Sequence, residues 1–306
     1  GSFNVSPRAG IAMQPHNLTN MTFRLSGGVY VQPPFYRELR MFDGSLVDKD
    51  KASVQKSYQV VLGHEYRFKA WDRPFVLTTE LYYKYLKDII PYEVDNIRIR
   101  YYADQKATGY ATGLDLKING EFVKGIDSWA SLSFMKTAEN IQYFIDANGH
   151  IISQSDVNNG AEYVSDTLIS GIPRPSDQRI NLAIFFQDYL PIIPSFKVNL
   201  KLIFGTGLPF GPSDGERYQQ KYRMPPYRRV DIGFSKQLIG EATSFRNPRN
   251  PLNYIRNCWL SLEIFNLLGV NNVSSYMWVT DVYNVQYAVP NYLTGRQLNL
   301  KLILEF

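Results

Sequence analysis

The residues best suited to chemistry are few and scattered in this sequence. The histidines are His16, His64 and His150 and the cysteine is Cys258. No Cys/His group has the spacing of a zinc site, and a single cysteine closes no disulfide within the chain. A barrel-borne protease or lipase needs Asp/His or Ser/His groups gathered at one rim, and these isolated histidines do not supply them. No enzymatic activity and no cofactor are expected. Gly205-Thr206-Gly207 and Gly211-Pro212-Ser213-Asp214-Gly215 are glycine-rich, but no Gly-Lys-Ser/Thr follows to hold a phosphate, so they read as a flexible loop. His64 falls on the apolar side of an alternating stretch, and His150 follows the turn signal Asn148-Gly149.

Aromatic rings are abundant instead, with 22 Tyr and 18 Phe. They cluster at Pro33-Pro34-Phe35-Tyr36, at Tyr218 with Tyr222 and Tyr227, and at Tyr276-Met277-Trp278. Ring faces stack on sugars and pack against peptide side chains or hydrophobic chelates, which makes Phe35, Tyr36, Tyr218 and Tyr222 candidate contacts for a small solute. Tyr276-Met277-Trp278 closely follows an alternating stretch and reads as part of an interfacial girdle. The charges show a second pattern. Arg8, Arg24, Glu65, Arg67, Glu80, Lys84, Asp115, Lys117, Glu121, Arg179, Lys197, Lys201, Arg229, Asp231 and Glu263 fall on the polar side of stretches that alternate with apolar residues. The net charge of +5 has no basic run behind it, because 33 Lys and Arg are interleaved with 28 Asp and Glu. A nucleic-acid partner is not expected from that pattern.

Strands must position these residues. Stretches of about ten residues alternate apolar and polar side chains, which places one set on each face of a strand. Eleven can be drawn. The first covers residues 3–14, with Phe3, Val5, Ala9, Ile11 and Met13 on one face; the last sets Leu298, Leu300, Leu302, Leu304 and Phe306 against Asn299, Lys301 and Glu305. No apolar run approaches the eighteen or so residues of a spanning helix. A soluble β-sandwich also alternates, but the connections here are alternately short and long. Short ones fall near Pro15 to Thr19, Trp71 to Pro74, Lys124 to Asp127 and Leu190 to Pro194. Long ones cover 32–54, 88–107, 138–176 and 206–226, and 240–257 is long where a short turn is due. Short periplasmic turns alternating with long external loops are the layout of an outer-membrane β-barrel.

The fold expected is therefore all-β: an antiparallel transmembrane barrel portion filling residues 1–306, with no second domain. On this layout the first strand descends from outside and the last ends at Phe306 on the periplasmic side. A barrel with an even strand count then requires strands before Gly1. Ligand recognition is expected in loops 32–54, 138–176 and 206–226, which can vary while the sheet keeps its pairing.

Several segments carry a family resemblance over nearly the whole chain. Ser6-Pro7-Arg8-Ala9-Gly10 with Gln14-Pro15, Gly28 to Tyr36, Gly109-Tyr110-Ala111-Thr112-Gly113-Leu114-Asp115-Leu116 and Tyr227-Arg228-Arg229-Val230-Asp231-Ile232 resemble, in order and spacing, the C-terminal half of the barrel of TonB-dependent outer-membrane receptors. Asn266-Leu267-Leu268-Gly269 departs from the family's Asn-Leu-Phe-Asn on the penultimate strand. The resemblance implies a complete barrel of about twenty-two strands around a plug, of which this chain supplies about eleven. It implies energy-coupled import of a scarce solute across the bacterial outer membrane. The implied partners are the N-terminal strands and plug, TonB through the N-terminal region, the barrel-assembly machinery and outer-membrane lipid. Arg8, Arg24, Glu65, Arg67, Asp115, Arg229 and Asp231 would then face the lumen or the plug. The alternative is a passive or structural barrel, complete at a smaller size or porin-like, without energy coupling.

Overall fold

The computed structural model describes residues 4–41, 44–47, 53–123, 125–190, 193–212, 215–240 and 251–306. Its main sheet is an antiparallel meander of eleven consecutive strands: β1 (Arg8–Met13), β2 (Met21–Gln32), β3 (Gln55–Ala70), β4 (Arg73–Ile89), β5 (Ala107–Val123), β6 (Ile126–Ile145), β7 (Ile180–Leu190), β8 (Ile193–Gly205), β9 (Tyr227–Ile239), β10 (Asn257–Phe265) and β11 (Gln297–Glu305). Each pairs with its chain neighbours, and two further strands, 151–152 and 165–173, add to the outer part of β6. Among the described residues, β1 pairs only with β2 and β11 only with β10. No helix among them is long and apolar enough to cross a membrane.

Register converts the alternation into two faces, because residues opposite one another in a ladder share a face. One row runs Ile11, Leu25, Leu62, Leu81, Leu114, Phe134, Ile180 across seven strands. A second runs Phe186, Leu200, Ile232, Ile264, Leu298. These apolar side chains are left outside any core: Leu62 is 50% exposed and Leu81 53%. A contiguous apolar face of this extent marks a membrane surface. Its two borders are aromatic. Tyr58, Tyr85 and Tyr110 form one adjoining row. Tyr66, Phe68 and Phe75 stack in sequence near the β3–β4 turn, and Phe122 meets Phe75 edge-on. Tyr58 and Phe68 lie ten positions apart on β3, a rise of about 33 Å that shortens to about 25 Å at a tilt of about 40°. That matches the apolar band of an outer-membrane barrel.

Two backbone details fix the edge of this band. The β3–β4 hairpin turns on Trp71 and Asp72, both at positive φ (52° and 59°), the geometry of a type I′ turn whose twist matches the strands. Gly120 faces the ring of Phe75, which a Cβ there would overlap, so the glycine lets the aromatic border close over the strand.

The outer connections differ from their expected form. Residues 138–176 are not an unbroken loop: β6 continues to Ile145, and 165–173 pairs back on it from Ile145 to Ala138. Hairpins 92–95/98–101 and 209–210/222–223 occupy the loops on either side, 88–107 and 206–226. A further outer connection, 266–296, holds the hairpin 273–280/286–292. Tyr276-Met277-Trp278 lies there rather than in a girdle. Tyr276 stacks on Phe210 at 4.4 Å, and Trp278 Nε1 donates to Gly211 O at 2.7 Å. Asn266-Leu267-Leu268-Gly269 is a turn beyond β10, with Asn266 and Gly269 at positive φ. Phe3, Ser213, Asp214 and most of 240–257 lie outside the described residues.

Candidate functional site

The register places the charged candidates on the face opposite the apolar rows. Arg24, Gly63, Glu80, Asp115, Ser133 and Asn181 form one row, and Asp231 lies opposite Lys201 in the same set. Glu65 is shared by Arg24 at 3.1 Å and Arg67 at 2.7 Å. Arg8 sits over the ring of Tyr30 at 4.1 Å. Arg229 Nε donates to Asp231 Oδ1 at 2.7 Å, and the same oxygen accepts from the Asn266 backbone N–H at 2.8 Å. Arg24, Glu65 and Arg67, and Arg229 with Asp231, thus pair in small local groups along one wall, and the charged residues do not converge on a centre.

The four aromatic candidates are not brought together either. Phe35 and Tyr36 are 65% and 60% exposed at the exit of β2, where Tyr36 accepts from Arg40 at 2.9 Å. Tyr222 is exposed beside Phe210. Tyr218 points inward and meets Tyr143 edge-on at 5.1 Å, so it holds the loops together.

What converges is a set of residues that the sequence does not single out. Outside the apolar band, Ile89, Ala107, Ile141, Tyr143 and Ile172 form a buried core cluster, with Tyr218 packed against it. Polar residues buried around it link three outer connections. Glu139, fully buried on β6, lies 2.9 Å from Arg217 and 3.3 Å from Arg174; the contacts are ionic rather than aligned hydrogen bonds. Arg217 Nη2 also donates to Pro173 O at 2.5 Å. Asp177, equally buried, accepts from the Thr137 N–H at 2.7 Å and from Arg179 at 2.8 Å, and pairs with Arg223. Glu93 accepts from Tyr102 OH at 2.8 Å and from Gln220. Burial pushes the Glu93 carboxyl up to about 7, and burial beside Glu93 pushes the Tyr102 hydroxyl up as well. Beside this network is a cavity of ≈ 280 Å³ between loop 101–105, the helix Gln154–Asn158 with its flanks, and Glu216. The signal for these residues in the sequence is faint. They sit on the polar-face period of β6 (Thr137, Glu139, Ile141, Tyr143), continued past the tyrosine row.

The ferric-catecholate import receptor Fiu of E. coli K12, in its closed form, superposes on 96% of this chain with a TM-score of 0.57 at 13% identity. The fold is that of the Fiu barrel, over part of its wall. This chain spans 34% of the length of Fiu. The siderophore receptor PiuA of Acinetobacter baumannii aligns with 96% of this chain and 54% of its own at 14% identity, but its TM-score of 0.39 is too loose to bear on the fold. No protein-family model matches the sequence, and no curated protein matches it. The apolar rows and the charged rows lie on opposite faces of this sheet, and the interlocked loops lie together at one end of its strands.

Proposed function

We propose that this chain is the barrel portion of a TonB-dependent outer-membrane receptor that imports a scarce solute by energy-coupled transport. The observation that carries the reading is the pairing of an open eleven-strand receptor-barrel sheet with a cap of outer loops locked by buried ion pairs. A passive pore needs a clear mouth. A receptor that binds before it admits needs a pre-formed outer surface, since ordering loops at binding would consume affinity. In this reading the charged wall row through Arg24, Glu65 and Asp115 faces a plug, further strands pair with β1 and β11, and the assembly machinery and outer-membrane lipid receive the apolar face. Energy enters through TonB, and the chain itself carries out no covalent chemistry.

The test compares cells producing the full-length protein with and without functional TonB, following which solutes disappear from the medium. Depletion of at least one solute only where both are present is expected. Depletion at the same rate without TonB would assign the chain to passive barrels.

A further inference from the structure

The cavity beside the loop network is lined by Tyr101, Tyr102, Asp104, Gln105, Ser155 and Glu216, among others. Two features separate it from an ordinary gap between loops. Gln105 is 3% exposed, and neither its side-chain oxygen nor its side-chain nitrogen has a hydrogen-bond partner in the protein. Leaving both ends of a buried amide unmade costs the desolvation of each group with nothing gained in return, so the position calls for something that fills it. The second feature is charge. Glu216 Oε2 is also buried without a partner, Asp104 lines the same space, and no Lys or Arg lines it. The nearby Lys106 is exposed and lines the cleft on the other side, together with Asp104 and Gln105. Burial and the charges of Asp156 and Asp104 push the Glu216 carboxyl up, an arrangement that a bound cation relieves. Among the described residues no three His, Cys, Asp or Glu side chains converge as metal ligands, which points to an organic cation.

We propose that this cavity binds the primary ammonium group of a small solute that carries a hydroxyl or carbonyl next to the amine. The ammonium donates to Glu216 Oε2 and to the Gln105 amide oxygen. The Gln105 amide nitrogen donates to the neighbouring oxygen, and the Tyr101 and Tyr102 rings flank the site, where an aromatic face favours a cation. An amino sugar and the amino terminus of a peptide share this chemistry. The inference rests on the receptor reading only for the placement of these loops outside the membrane.

Purified full-length protein in detergent would be titrated with glucosamine and with glycinamide, and with N-acetylglucosamine and acetamide as partners lacking the ammonium. Saturable binding of one amine and none of its uncharged counterpart is expected, and the amine that binds names the source. Glu216→Gln should weaken it at least about tenfold, the scale of one charge-assisted hydrogen bond. Gln105→Met removes both polar atoms at similar volume; it should leave the loops at least as stable and still abolish binding. Two outcomes overturn the proposal: neither amine saturating at millimolar concentration, as for a cavity that holds water only, or amine binding that survives both substitutions in folded protein. Binding at equilibrium needs no TonB. Saturation without energy-dependent uptake would therefore sink the transport reading and leave this site standing.

Discussion

Glu93 shows how one residue reports on the cap. Its carboxyl holds a proton to about pH 7 in the folded loops against an ordinary value of 4.5, so the folded state is the proton-richer one between those limits. Loop stability is then full below about pH 4.5 and falls until about pH 7, by on the order of 3 kcal/mol. Glu93→Gln still accepts from Tyr102 and Gln220 and carries no charge. Amide exchange across residues 92–102 should quicken between about pH 5 and about pH 7 in the natural protein beyond its intrinsic rise, and that excess should vanish in the variant. An identical excess in both would remove Glu93 as its source. Arg217 is the complementary case. Arg217→Met leaves Glu139 buried with Arg174 alone, and breaking such a pair costs about 3–5 kcal/mol. In the full-length protein, rapid proteolysis within 206–226 is expected while the barrel keeps its heat-modifiable migration; unchanged cleavage would show that the pair does not lock the cap. Neither residue stands out in the sequence. Glu93 and its partner Gln220 are 127 positions apart, and no local period links residues that meet only when separate loops pack.

The strands were legible because a lipid face forces every second side chain to be apolar, and eleven alternating stretches became eleven paired strands. Their outer extensions were not. Beyond the tyrosine row one face meets protein and the other water, so Glu139-Asn140-Ile141-Gln142 loses the lipid-imposed contrast although β6 runs on to Ile145. The short hairpins at 92–95/98–101 and 209–210/222–223 are too brief to show a period at all. Their packing also changes what a loop deletion means. Removing residues 208–220 takes away Arg217 and Gln220 and uncovers Glu139 and Glu93, so lost binding there would reflect a collapsed cap as much as a lost contact. A cleaner probe of the element is the face assignment itself. Leu81 lies in the apolar row and Thr78 on the opposite face of β4, between Glu65 and Lys117. Leu81→Arg should lower stability in lipid bilayers by about 2–4 kcal/mol, and Thr78→Arg by well under that. Equal penalties, measured by reversible unfolding of the full-length protein from lipid vesicles, would overturn the two-faced sheet.

At the scale of the whole molecule the open edges decide what the chain can do alone. Strand direction alternates through the meander, so β1 and β11, first and last of eleven, run the same way. Closing the sheet on itself would set them in a parallel pair, whereas bacterial barrels close with antiparallel neighbours and an even strand number. Left open, each edge presents a line of backbone N–H and C=O groups to hydrocarbon at several kcal/mol apiece, and a bare edge also templates pairing between chains. The apolar rows cannot compensate, because they gain their stability from lipid that the edges exclude. Residues 1–306 produced without other strands should therefore aggregate when refolded into detergent or vesicles. Supplying the rest of a receptor barrel as a separate chain should rescue a folded complex containing both. The readout is electrophoretic migration with and without boiling. A heat-modifiable monomer from residues 1–306 alone would mean that the sheet closes by itself, and the reading of this chain as one side of a larger receptor barrel would have to be given up.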